Sequence, residues 1–293
     1  MVRKRKKLKS LNIVDWFIVA FFTLLVLISI IPLLNILSLS ISDNYSAIHN
    51  RGMLFPDFKH MSFDAYKAVF NSSAIYTSFM MSLLITVSAT LIHIAVTICA
   101  GFSLSDKRLP FRNALLLFVL FTMLFNGGLI PNYLTISSYN LIDTFWVLVL
   151  PGCVSGYSIV LMKNYIVQIP TSMKEAAEID GASPLCIMTM IIVPLSVPII
   201  ATLCLFCAIG KWNDWTTAFF YIKKAKWLLP FQNVLQTLVV NTDTSNTSNI
   251  DLSNLGEAFK NALIVVSIVP VTIAYLCAQK YFIKGLFIGS VKE

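Results

Sequence analysis

One polar stretch concentrates the residues that could do chemistry: Glu175-Ala176-Ala177-Glu178-Ile179-Asp180-Gly181, followed ten residues on by Ile191-Ile192-Val193-Pro194. Three acids share about one and a half helical turns in a chain of which only 12% is charged. Acids so grouped make a docking element that can meet basic residues on a partner. Taken alone, they are equally consistent with Glu175 capping its own helix and with Glu178 and Asp180 as solvated loop charge. Other chemistries find little footing. Gly210-Lys211-Trp212 lacks both the spacing and the hydroxyl of a phosphate-binding loop, so the chain is not expected to hydrolyse ATP. His49 and His60 lie in a polar segment, and His93 stands alone in an apolar run with no metal-ligand spacing to link them. Cys204-x-x-Cys207 has a redox spacing but sits inside another apolar run, where Cys acts as a small hydrophobe. With no paired acids, Ser/His pair or metal site in those runs, a membrane-embedded enzyme is disfavoured.

Ser172, three residues before Glu175, has the spacing of a capping box, which predicts a helix starting at Met173. Gly181 is placed to end that helix in a left-handed turn, giving about eight residues and roughly 12 Å. Ser183 then caps, and Pro184 opens, a second helix. Ala177 and Gly181, four apart, share a face of small side chains that another backbone can approach closely.

The elements that hold this loop are membrane spans. Apolar residues make up 57% of the 293-residue chain and mean hydropathy is +0.78, well outside the range of soluble domains. Six runs are each long enough to cross about 30 Å of hydrocarbon as a helix. They cover 14–38, 76–102, 114–136 with a soft break at Asn126-Gly127-Gly128, 141–166, 187–209 and 258–283. The expected fold class is all-α and integral to the membrane. It has a basic head at 1–12, one transmembrane domain over 13–285 and a tail at 286–293. Basic residues are retained on the cytoplasmic side. Residues 3–9, Lys107, Arg108, Arg112, Lys163, Lys174, Lys280, Lys284 and Lys292 therefore put both termini and the loop 167–186 in the cytoplasm. Beside a span, the basic head is a topology anchor near anionic lipid, and no nucleic-acid partner is expected. The opening run is too long for a signal-peptide core and is taken as a retained helix.

Outside, 43–74 is expected to hold a short amphipathic surface element, and Pro131 to break the helix in the Gly-rich connection 126–140. The longest outer loop, 211–257, contains a stretch rich in Asn, Thr, Ser and Asp at 241–254 that needs a partner to order it. No Asp, Glu, Lys or Arg lies deep in the second, third, fifth or sixth run, which argues against ion-coupled carriage.

Glu-Ala-Ala-x-x-x-Gly, followed by nine residues and Ile-x-Val-Pro, resembles the EAA loop of ATP-binding-cassette (ABC) importer permeases, where the second motif is usually Ile-x-Leu-Pro. The resemblance implies a type I importer transmembrane domain in the bacterial cytoplasmic membrane. It also implies a coupling helix of Glu175, Ala176, Ala177, Glu178, Asp180, Gly181 and Ala182 seated in a groove of a cytoplasmic ATPase, with Glu175 facing a basic residue there. Trp212-Asn213-Asp214-Trp215, Leu229-Pro230-Phe231-Gln232-Asn233-Val234-Leu235-Gln236 and the tail Gly285-Leu286-Phe287-Ile288-Gly289-Ser290-Val291-Lys292 are similar to the maltose-type carbohydrate permeases. Among these they are most similar to the second permease subunit, although Phe287 and Ile288 depart from its usual small residues. Asn126-Gly127-Gly128-Leu129-Ile130-Pro131 resembles the subgroup that imports complex or polysaccharide-derived oligosaccharides.

From the resemblance follow the expected partners. They are a homologous second permease subunit, two ATPase subunits that hold ATP and Mg, an extracytoplasmic solute-binding protein and an oligosaccharide. It puts tail residues Gly285, Gly289 and Lys292 at the ATPases and the outer segment 223–254 against the binding protein. No cofactor or metal is expected in this chain. Sugars are bound by aromatic faces and hydrogen-bonding groups. Asn126, Tyr133, Asn140, Tyr157, Trp212 and Asn213 are therefore candidate path residues, with interfacial anchoring or core packing as their other reading. A permease for a non-sugar solute shares the EAA loop, and a secondary carrier is the rival from another class.

Overall fold

The structure, a computed structural model, describes residues 13–49, 52–240 and 256–290. The basic head at 3–9, the polar stretch 241–254 and Lys292 lie outside the described residues. Among the described residues every element is helical, and the one β pairing is an isolated bridge between Ser42 and Met61. The chain divides into two compact units, Met1–Asn71 with Asp251–Val266, and Ser72–Ile250 with Ser267–Glu293.

The first unit holds α1 (Ile13–Ser40), α2 (Asn44–His49), α3 (Asp64–Asn71) and the start of the last helix. Its small core gathers Leu39, Ala47 and Ala258, with Met53 and Ala65 packed on it. The irregular backbone between α2 and α3 is held from α1. Asn35 Nδ2 donates to Met53 O at 2.7 Å, and Ser38 Oγ donates to Leu54 O at 2.7 Å. Asp43 caps α2 by accepting from Ser46 N–H at 3.0 Å. The stretch 43–74 thus holds two short helices, of which α3 is amphipathic, with Val69 buried and Asp64, Lys67 and Phe70 exposed. Along most of α1 the apolar side chains point outward, the arrangement a lipid-facing helix requires.

The second unit runs in chain order through α4 (Ser73–Ser105), α5 (Arg112–Leu124), α6 (Leu129–Ser138), α7 (Phe145–Val149), α8 (Gly156–Val167) and α9 (Thr171–Ile179). It continues with α10 (Pro184–Cys186), a π-helical stretch (Ile187–Ile192), α11 (Val193–Leu195) and α12 (Val197–Trp212). It ends with α13 (Thr216–Tyr221), a 3-10 turn (Lys226–Leu228), α14 (Phe231–Val240) and the later part of α15 (Glu257–Ser290). The spine is α4, along which α8 and α12 pack. One end of the spine buries Met81, Ile85 and Ala89 against Val147, Leu148 and Val149. The other end offers Ile94, Ile98 and Phe102 to Met162, Ile166, Ile192 and Leu203.

Three stretches, Val14–Ser40, Ser73–Ser105 and Glu257–Lys280, are single helices long and apolar enough to cross a membrane, and counting each of two bent pairs as one span makes five. The third, fourth and fifth apolar runs are therefore not the continuous helices that their composition suggests. In the third, α5 and α6 meet at 117°. Gly128 takes φ +86°, and Asn126 Oδ1 accepts from its N–H at 3.0 Å. Pro131 follows that turn and lies in the first turn of α6, where a missing N–H is harmless, so it does not break a helix as expected.

The fourth run stops at Val149 and resumes at Gly156. Pro151 has no N–H to continue α7, and Gly152 adopts φ +79°. The carbonyls set free find partners inside the protein. Lys211 Nζ donates to Leu148 O at 3.1 Å and to Pro151 O at 2.5 Å, while His93 Nδ1 bonds Cys153 O at 2.8 Å. In the fifth run the axis bends by 81° at Ser196, between Pro194 and Pro198. Two prolines four residues apart remove two donors from the ladder, which is a sufficient cause for the bend.

Gly156 opens α8 beneath α5. A Cβ there would come within 2.8 Å of Met123 Cγ and 3.1 Å of the backbone oxygen of Val119. Gly156→Val is expected to force α5 and α8 apart at a cost of about 1–3 kcal/mol. The purified protein should lose several degrees of melting temperature, measured by thermal denaturation in detergent. An unchanged melting temperature would show that the helices do not meet this closely.

Candidate functional site

The loop 167–186 is built from α9 outward. Helical winding starts at Thr171, two residues earlier than the capping-box spacing predicts, and no side chain caps it. The reason is Pro170, which takes the extended N-cap conformation at φ −53° and ψ 129° and accepts from Met173 N–H at 3.3 Å. Ser172 and Glu175 therefore both lie within the helix. At the other end Gly181 has φ +78°, the left-handed conformation that glycine adopts without cost. Gly181 N–H donates to Glu178 O at 3.1 Å and Ala182 N–H to Ala177 O at 2.9 Å, the paired pattern of a Schellman stop. Ser183 Oγ then accepts from Cys186 N–H at 3.3 Å with Pro184 in the first turn of α10, as the sequence suggests.

The two faces of α9 are unlike. Ala177 and Ala182 pack, half-buried, on the cluster of Met162, Ile166, Ile169, Ile187 and Ile192. The small-residue side read as open to a partner is thus occupied in part by the chain's own core. Glu175, Ala176, Glu178, Asp180 and Gly181 face outward, together with Ile179, whose side chain is 86% exposed. The sequence does not disclose the partner of Glu178. Arg108 Nη1 donates to Glu178 Oε2 at 3.1 Å, across from the turn that links α4 to α5. That turn is itself held by Arg112 Nε donating to Leu104 O at 2.8 Å. Glu178 holds the Arg108 guanidinium still more firmly protonated, whereas burial lowers the ammonium pKa of Lys174. Gly285 and Gly289 fall in the backbone of α15.

A second feature is a cavity of about 630 Å³ beside α12, lined among others by His93, Ser155, Tyr157, Lys211, Asp214 and Thr217. Of the six candidate path residues, only Tyr157 lines it. Trp212 is 3% exposed, donates through Nε1 to Ser267 O at 3.0 Å, and packs edge-on to Phe79 at 5.5 Å. Asn213 is exposed and accepts from Gln232 Nε2 at 3.2 Å. Tyr133 stacks on Tyr221 at 5.8 Å and bonds Lys223 Nζ through its hydroxyl at 2.6 Å. Asn126 is spent on its own turn, and Asn140 sits at φ +53° in the bend after α6.

Asp143, which spacing gives no reason to single out, fixes the segment after α13. Its Oδ1 accepts from the N–H groups of Lys223, Lys224 and Ala225 at 2.6, 2.8 and 3.2 Å. Among the described residues no group of His, Cys, Asp and Glu could hold a metal ion.

Residues 110–288 match the family described as binding-protein-dependent transport system inner membrane component. The polygalacturonan/rhamnogalacturonan transport system permease protein YtcP of Bacillus subtilis is 35% identical over 286 residues, covering 95% of this chain and 98% of its own. Protein LplC of the same organism is 37% identical over 269 residues, 90% of each chain. The arabinooligosaccharides transport system permease protein AraQ of Halalkalibacterium halodurans is 25% identical over 98% of this chain and 99% of its own. A chain from the crystal structure of a bacterial ABC transporter involved in the import of the acidic polysaccharide alginate superposes with a TM-score of 0.84 at 30% identity, covering 94% of this chain and all of that one. The protein has the type I ABC permease fold, crosses the cytoplasmic membrane several times, and belongs to the family of binding-protein-dependent transport system inner membrane components.

Proposed function

We propose that this chain is a permease subunit of an ABC importer that carries oligosaccharides across the cytoplasmic membrane, driven by ATP hydrolysed in partner subunits. The observation that carries the reading is α9, a short acidic helix anchored by one face to the core and left exposed on the other. Such a helix can receive a push from a soluble partner and hand it to the spans, because Ala177 and Ala182 touch the same cluster that packs α8 against α4. YtcP is named for polygalacturonan/rhamnogalacturonan and AraQ for arabinooligosaccharides, which supports sugar cargo here. The family is defined by dependence on a binding protein, which supports delivery by an extracytoplasmic partner.

In this reading Glu175, Ala176, Glu178, Asp180 and Gly181 meet an ATPase, and Gly285, Gly289 and Lys292 run between two copies of it. A homologous permease completes the pathway. The interrupted pair α7 and α8, added to the three long helices and the two bent pairs, gives six spans with both termini cytoplasmic. Asp143 steadies Lys223, Lys224 and Ala225 as the root of the outer segment offered to the binding protein.

The experiment is ATPase activity of the reconstituted complex with a panel of sugar-loaded binding proteins. Stimulation by a loaded binding protein is expected, and its sugar names the cargo class. An intact complex that answers only to a non-sugar solute would move the cargo to the rival reading. Two variants test the docking helix. Gly181→Asp puts a side chain and a charge on a left-handed residue and is expected to abolish uptake and ATPase co-purification while insertion continues. Glu175→Ala should reduce ATPase co-purification severalfold more than Glu178→Ala, since Glu178 is already engaged by Arg108. Equal effects would contradict that division of roles.

A further inference from the structure

We propose that the cavity beside α12 is an acidic-sugar subsite belonging to this subunit, in which Lys211 receives the carboxylate of a uronate residue. The proposal rests on the importer reading above for its route to the cavity, and on three observations for its chemistry. The first is the state of Lys211. An ammonium has three protons to donate, and two of them go to the neutral carbonyls of Leu148 and Pro151 at 3.1 and 2.5 Å. Among the described residues no carboxylate forms an ion pair with it. A half-buried cation held by two carbonyl dipoles, with no ion pair among the described residues, keeps one proton unassigned while its side chain lines the cavity.

The second observation is that the nearby acid is already satisfied. Asp214 accepts from Thr216 Oγ1 at 2.9 Å, from Thr217 N–H at 3.1 Å and from Thr217 Oγ1 at 2.6 Å. These bonds hold the Asp214 carboxylate on its threonines, and among the described residues it forms no ion pair with Lys211. The third is the rest of the wall. His93 is 3% exposed, and its Nδ1 faces the carbonyl of Cys153 at 2.8 Å, so that nitrogen carries the hydrogen. In the uncharged ring Nε2 is left as an acceptor. Ser155 and Ser158 add hydroxyls, and the exposed ring of Tyr157 offers an apolar face. A fixed cation, a fixed acceptor, hydroxyls and an aromatic face suit a charged pyranose, and about 630 Å³ is within the ordinary range of small-molecule sites.

The cavity lies at the far end of α12 from the docking loop. The 16 residues of that helix span about 24 Å at roughly 1.5 Å each. A sugar there would be met on a different part of the protein from the one that receives the ATPase.

The test is direct binding of trigalacturonate and of its trimethyl ester to the complete permease–ATPase complex, held in nanodiscs of zwitterionic phosphatidylcholine so that lipid anions do not compete. The wild-type complex is expected to bind the acid at least tenfold more tightly than the ester. Lys211→Met should erase that preference, and Lys211→Arg should keep most of it. The ratio of acid to ester isolates charge recognition from the support that Lys211 gives to α7, since a merely structural role moves both affinities together. Equal binding of acid and ester by the wild type, or a Lys211→Met variant that retains the preference, would overturn the subsite. ATPase stimulation by a loaded binding protein is scored separately. A stimulated complex without acid preference loses this subsite and keeps the importer reading, whereas acid preference in a complex that never responds keeps the subsite and loses the importer.

Discussion

A bilayer supplies no water to a broken helix, so every peptide group exposed by a break must be answered from within the protein. The packed interior of the second unit imposes the same demand on its own broken helices. Between Val149 and Gly156 the chain leaves helical geometry at Pro151 and Gly152, and the carbonyls of Leu148, Pro151 and Cys153 are taken by Lys211 and His93. Those two side chains come from α12 and α4, so the break can persist only while three elements keep their places. The same polar groups that repair the break also line the cavity. Irregular backbone within a membrane protein is tolerated where it is buried in protein or lines a cavity, and here Cys153 is buried while Pro151 and Gly152 line the cavity.

The loop 167–186 is held in a different way. It lies outside the apolar runs, and its stop at Gly181 is made wholly by main-chain bonds. What connects it to the spans is small-residue contact, Ala177 and Ala182 against Ile166, Ile169 and Ile187. Close packing of small side chains transmits displacement because there is little slack to absorb it. The exposed Arg108–Glu178 pair adds a lateral tie to the turn after α4, of the kind that orients a helix more than it stabilises one.

Much of this is legible in the amino-acid order. Gly181 and Pro184 announce the stop and restart by their backbone preferences alone, and composition alone marks the spans that form α1, α4 and α15. The start of α9 falls two residues ahead of its capping-box signal because Pro170 offers the N-cap conformation before Ser172 can. The fourth run looks continuous because hydropathy is blind to one Pro-Gly step amid apolar neighbours. The pairings of Arg108 with Glu178, of Lys211 with Leu148 and of Asp143 with Lys223 join residues about 60 to 80 positions apart. Nothing in local spacing encodes such distances. Trp212 stands out among the path candidates by its type, and that type serves equally well in a core, where the structure puts it.

The π-helical stretch from Ile187 to Ile192 closes with Val193 N–H donating to Met188 O, one residue further back than an α-helix would reach. A turn of this kind holds one residue more than regular winding needs. In evolutionary terms it is a reserve of length, because a related chain could lose one residue there, revert to α-helix and still rise through the same segment. What would be kept is phase: the extra residue, worth about 100° of turn in an α-helix, is taken up by the wider turn, so the deletion would leave Pro194 and the bend at Ser196 facing as they do and the loop 167–186 upstream as it was. Homologous chains aligned across this segment are therefore expected to tolerate a single-residue gap between Ile187 and Ile192 more readily than anywhere along α4, where the packing of α8 and α12 depends on an unbroken count.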